Sequence, residues 1–169
     1  MTQWRIPCLG DTRHLEDRLL DQIVLDTIMA YHGWEPRFCM RHVVAGYPDT
    51  VELDAYILAE TPRGAARTVE VELKEHDFAK AVTQAIARLE YANTVYVVMS
   101  RLTLTPMNME YLRRAIANGV GIVLYEPENC KVPRLILPAR PHSCGEECAK
   151  VATIVKQRME TYLFQKKLF

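Results

Sequence analysis

Apolar and polar residues alternate at every second position through Val69-Glu70-Val71-Glu72-Leu73-Lys74-Glu75. Val69, Val71 and Leu73 fall on one side of the segment and Glu70, Glu72 and Lys74 on the other, the pattern of a half-buried strand. Val51 to Leu58 alternates in the same way and presents Glu52, Asp54 and Tyr56 together. Between the two lies Thr61-Pro62-Arg63-Gly64, where Pro presets φ and Gly tolerates φ > 0. The pair therefore predicts a hairpin that brings Asp54, Glu72 and Lys74 within reach of one another.

Elsewhere the period changes. Asp11 or Thr12 caps a predicted helix whose stripe runs through Leu15, Leu19, Leu20, Ile23, Val24, Ile28 and Met29 to a stop at His32-Gly33. Trp34 to Gly46 reads as a strand with Arg37, Arg41 and His42 exposed, and Gly46-Tyr47-Pro48-Asp49 as a turn. After Lys74 a helix capped by Asp77 buries Phe78, Val82, Ala85, Ile86 and Leu89, and places Gln84, Arg88 and Tyr91 on another face. Thr94 to Met99 and Gly121 to Tyr125 are near-continuous apolar runs, expected of strands covered on both sides. Thr105-Pro106 opens a helix between them that ends at Asn118-Gly119. Val132 to Leu137 reads as an edge strand between prolines, and Ser143 with Glu146 as a capping box for a last helix, Gly145 to Gln165. The order predicts an α/β fold: a central mixed sheet with an antiparallel hairpin and parallel strands, and helices on both faces.

Length and composition narrow this. A chain of 169 residues reads as one domain, 1–169, with a core over about 10–126 and a C-terminal helical extension over about 143–169. The 21 basic and 21 acidic residues cancel, so nothing in the total charge argues for nucleic acid, although a basic face opposite an acidic site is compatible with neutrality. No apolar run approaches the ~20 residues of a membrane span. Met1 to Asp11 lacks the apolar core of a secretory signal. Five scattered cysteines, an odd number, read as reduced thiols of a cytoplasmic protein. Tyr162, Leu163, Phe164, Leu168 and Phe169 make an apolar end suited to a core or to a homodimer contact.

Two carboxylates from neighbouring strands, with the backbone carbonyl after the second, form a partial oxygen shell of the kind that binds Mg²⁺. Such an ion lowers the pKa of its bound water, and Lys74, on the same strand face as Glu72, stands where it can serve that water. By itself Glu-x-Lys also suits ordinary cross-strand pairing. The order of features is more specific: an acid early in the first helix (Glu16), Asp54, Glu72-Leu73-Lys74, then Gln84 in the next helix. In this the chain resembles the PD-(D/E)XK nuclease superfamily over roughly residues 10–126. The run Gln84-Ala-Ile-Ala-Arg88-Leu-Glu-Tyr91 resembles its phosphodiesterase-type members. Leu53 stands where the motif name has proline.

The resemblance implies a restriction-endonuclease-like core and a metal-dependent phosphodiester hydrolase acting on DNA. Asp54 and Glu72 would hold Mg²⁺ or Mn²⁺, Lys74 would serve the attacking water, Glu16 would support the site, and Gln84 would steady water or phosphate. Read from its residues alone, Glu16 is equally a solvated acid favoured by the helix dipole. Glu52, Glu70 and Glu75 compete as ligands. Cys130, His142, Cys144 and Cys148 offer a zinc set without the usual knuckle spacing. Arg88 and Tyr91 read as packing and surface residues. Two other functions stay open: a catalytically silent nuclease-fold protein that binds nucleic acid or protein, and a phosphodiesterase acting on RNA or nucleotides.

Overall fold

The computed structural model describes residues 8–12, 14–129 and 132–168. Seven strands form one sheet in chain order: β1 (Cys8–Leu9), β2 (Glu35–Ala45), β3 (Val51–Glu60), β4 (Ala66–Lys74), β5 (Thr94–Met99), β6 (Gly121–Leu124) and β7 (Arg134–Leu137). β2–β3, β3–β4 and β6–β7 are antiparallel, while β1–β2, β4–β5 and β5–β6 are parallel. The predicted hairpin is β3–β4, closed where Gly64 N–H donates to the Thr61 carbonyl and Gly64 takes φ +83°. The expected α/β class and mixed sheet are therefore present.

Helices cover both faces. Against one face α1 (Gln22–His32) packs Val24, Leu25, Ile28 and Met29 on Ala55, Ile57, Val69, Val71 and Tyr96. Against the other lie α2 (Phe78–Arg88), α3 (Pro106–Asn118) and α4 (Glu146–Leu168), which bury Phe78, Val82, Ala85, Ala115 and Val155 with Tyr56, Val95 and Val97. The alternation of β4 divides cleanly: Val69, Val71 and Leu73 enter the α1 core. All six residues of β5 are buried, as a doubly covered strand requires. Asp77 and Thr105 cap α2 and α3 through their side chains, and Gly33 and Gly119 end α1 and α3 in the left-handed region.

Several expectations are corrected. The first helix is not continuous: a 3₁₀ turn over Leu15–Leu19 ends at Leu20, and α1 starts afresh with Asp21 as its cap. Asp21 accepts from the N–H groups of Ile23 and Val24 and from the Tyr125 hydroxyl, partners that a continuous helix would forfeit. Arg41 and His42 are buried, not exposed. Arg41 donates to the carbonyls of Asp17 and Leu20 at the break in the helix, the Asp17 carbonyl also accepting the Leu20 N–H. α4 begins at Glu146 with Gly145, not Ser143, at its cap position.

The reduced-thiol reading is also overturned. Cys8 and Cys39 are opposite partners in the β1–β2 ladder and are bonded, as are Cys144 and Cys148 at the start of α4. The cytoplasmic assignment loses the support it drew from free thiols. The zinc set goes as well, since both its thiols near α4 are consumed and His142 Nε2 lies 2.7 Å from the Leu89 carbonyl. Cys130, Phe169 and the residues before Cys8 lie outside the described ones, as does the Leu168 side chain. In α4, Tyr162 packs on Phe38 while Leu163 and Phe164 are exposed. Among the described residues no helix is long and apolar enough to cross a membrane.

Candidate metal centre

The candidate site lies where β3 and β4 part. The two strands pair as far as Ala55↔Val71, a register that sets Asp54 opposite Glu72. Beyond it, β3 follows β2 to Val51 and β4 follows β5 to Lys74. At this fork the Asp54 carboxylate accepts the Leu73 N–H at 2.8 Å, satisfying a backbone donor that the diverging ladder would otherwise leave open. Asp54 is thereby fixed beside the Glu72-Leu73-Lys74 segment.

Burial, then the Glu72 charge, pushes the Asp54 carboxyl up to about 7, against the Leu73 N–H and the Lys74 ammonium. Asp54 thus feels the charges of both Glu72 and Lys74. Glu70 joins it from deeper in the same strand. It is fully buried, and burial followed by its neighbour Glu72 raises its carboxyl well above the ordinary range, with Asp54 adding and Arg88 opposing. Glu52, in contrast, is drawn away to His42 Nδ1 at 2.7 Å, and Glu75 to Arg18 and the Ser100 hydroxyl.

Gln84 is half-buried on α2 with its Oε1 enclosed. Arg88, one turn later, is not a surface residue: its Nε stands 3.5 Å from Glu72 Oε1. Tyr91 lies beyond the end of α2 in a 3₁₀ turn, where its carbonyl accepts the Tyr56 hydroxyl at 2.6 Å and ties that turn to β3. Glu16 lies half-buried in the 3₁₀ turn that packs on β4, without a hydrogen bond or ion pair to another described residue. Its neighbour Asp17 is the buried acid of that turn and faces His42 at 3.2 Å. The structure gathers Asp54, Glu72 and Lys74; it draws no bond from Glu16 or Gln84 to them.

Both carboxylate oxygens of Glu70, Glu72 Oε1 and Gln84 Oε1 are enclosed without a hydrogen-bond donor among the described residues. Buried acceptors ordinarily find partners, and carboxylates most of all. A cluster of this kind suits a cation, and Arg88 Nε, likewise enclosed without a hydrogen-bond partner among the described residues, stands 3.5 Å from Glu72 Oε1. No three His, Cys, Asp or Glu side chains among the described residues converge to hold an ion by themselves. Asp54, Glu72 and the Leu73 carbonyl are the groups that could take part in holding such an ion, with water supplying the remaining ligands.

Glu70 was accessible to sequence reasoning, because it shares the parity of Glu72. The Arg88 contact follows from its i+4 spacing after Gln84. Nothing local in the sequence marks Asp17 or His42.

No family model matches the chain, and no curated protein matches it. Among solved structures it is similar to EndoMS in its apo form, at 14% identity and a TM-score of 0.31. That likeness covers 64% of this chain and 47% of the other, so the chain spans less than half the length of that protein.

Proposed function

We propose that this protein is a Mg²⁺- or Mn²⁺-dependent phosphodiester hydrolase acting on DNA. The observation that carries the reading is the meeting of Asp54 and Glu72 at the β3–β4 fork, with Lys74 in electrostatic reach and buried acid oxygens beside them lacking donors. When bound, the metal would polarise a phosphoryl oxygen and acidify a water. The chain's own residues do the rest. Asp54, held by the Leu73 N–H, and Glu72 supply anionic oxygens from a rigid sheet. Lys74, half-buried at the last position of β4, as the ammonium orients the water and offsets charge developing on the phosphate, and as the neutral amine would take the water's proton. Gln84 presents an amide toward the same water or the phosphate, and Glu16 lends negative charge from the turn packed on β4. Arg101, largely exposed just beyond β5, lines two clefts along residues 75–78, the segment that follows β4, and would offer a cation to the flanking backbone.

Incubation with plasmid, linear and branched DNA in Mg²⁺ or Mn²⁺ tests this. Cleavage that falls by two or more orders of magnitude in Lys74→Ala supports it, on the scale usual for a positioned proton-transfer group, about 10²–10⁴. Failure to cut any of the substrates, or full activity in Lys74→Ala, contradicts it. A second reading, a catalytically silent nucleic-acid or protein binding module, draws on the Arg88 guanidinium, which balances part of the acid charge without a metal. It requires no Mn²⁺ binding and no cleavage.

A further inference from the structure

His42 has a backbone that a buried strand residue seldom adopts. Its φ is +55°, in the left-handed region, and its side chain is 3% exposed. Its ring is gripped from two sides: Nε2 faces Asp17 Oδ2 at 3.2 Å and Nδ1 faces Glu52 Oε1 at 2.7 Å. The same Asp17 oxygen accepts the His14 N–H at 2.9 Å, and Arg41 donates to the Asp17 carbonyl at 3.0 Å. This side of β2 is therefore locked to the 3₁₀ turn and to β3 together.

The position of this lock gives it a use. Arg41 pairs with Ala55 and Val43 with Leu53, so His42 stands across from Asp54, and that one pair is missing from the β2–β3 ladder. The alternation of both strands changes phase there. Phe38 and Tyr56, at even positions, enter the core under α2 on one side of the break; Val43, Ala45 and Leu53, at odd positions, enter the same core on the other. A regular pair at this point would keep the parity of Tyr56 and carry Asp54 on through the ladder. The left-handed residue releases it, as a bulge re-aims a side chain.

We propose that His42 is a positioning residue for Asp54: its left-handed backbone interrupts the ladder and turns the Asp54 carboxylate onto the Leu73 amide. The consequence for metal binding rests on the function proposed above, but the positioning does not. Gly takes φ > 0 freely and Asn readily, whereas Ala resists it.

The test is amide hydrogen exchange at Leu73 together with Mn²⁺ calorimetry, on wild type, His42→Gly, His42→Asn and His42→Ala, with folding checked by thermal melts. In His42→Ala, Leu73 protection falls and Mn²⁺ affinity drops by at least about tenfold, the lower end of what outer partners of metal ligands give. The Gly and Asn variants stay near wild type in both. An Ala variant that keeps both readouts overturns the proposal, as does a Gly variant that loses as much as Ala. If His42→Ala does not fold, the Gly and Asn variants decide alone: retention in both supports the proposal and loss in both overturns it. Wild-type protein with a protected Leu73 amide and no Mn²⁺ binding supports the positioning and removes the metal reading.

Discussion

At the scale of single residues, two titrations carry opposite signs. Asp54 is raised from 3.8 to about 7, so the metal-free native state holds a proton that the unfolded chain releases. Stability from this group therefore falls as pH rises from about 4 to about 7 and is level above. A cation must displace that proton, so Mn²⁺ affinity measured by calorimetry is expected to climb with pH up to about 7 and flatten beyond it. His32 runs the other way. Burial lowers it to about 4, where it stacks on Trp34 at 4.3 Å between centroids and faces the Tyr96 hydroxyl at 2.6 Å. Its contribution is complete above its unfolded value of 6.5 and is lost as pH falls through 4. Proton NMR of the ring should show it neutral at pH 5.5; a midpoint near 6.5 would contradict that. Neither environment was readable in advance. Glu70, Glu72 and Lys74 announce a polar strand face, but period-two alternation cannot say that α2 covers that face and encloses the acids.

At the scale of elements, local chemistry was legible wherever the chain signals its own ends. Asp77 and Thr105-Pro106 start helices, Gly33 and Gly119 stop them, and Thr61 to Gly64 turns the hairpin, as their side chains or their freedom of φ demand. The break at Leu20–Asp21 was not legible, because Leu19, Leu20 and Val24 keep an apolar stripe running through it; beside the Asp21 cap, it is held by the tertiary partners Tyr125 and Arg41. Asp21→Ala should then cost about 1–2 kcal/mol in denaturant melts, the upper part of the range for a lost cap. A loss within error of zero would mean that the cap does not hold the break. Gly121 meets a different constraint. A Cβ there would overlap the Tyr96 ring and approach Ala139 N at 2.8 Å. Gly121→Ala should destabilise by roughly 1–3 kcal/mol, as overpacking does, with a smaller effect indicating that Tyr96 can withdraw. Glycine opens this strand because the neighbouring tyrosine fills the space.

At the scale of the whole molecule, the sheet order follows the chain, so each strand lies beside its sequence neighbours and the site needs only one local event. That event is the parting of β3 from β4. The alternating patterns of both strands foretold the pairing, and the Pro-Gly turn fixed which residues meet. The disulfides were not foretold, since the partner of Cys39 lies in a two-residue strand too short to leave a periodic trace. The fork joins a sheet rigid enough to hold two acids with a lysine at the strand end, and this is what the proposed hydrolysis requires. The most direct test of that centre is anomalous diffraction from crystals of the protein soaked in Mn²⁺. The account predicts a peak contacting the Asp54 and Glu72 carboxylates and the Leu73 carbonyl, lost in Asp54→Ala. A peak elsewhere, or none at this fork in well-ordered crystals, would contradict it.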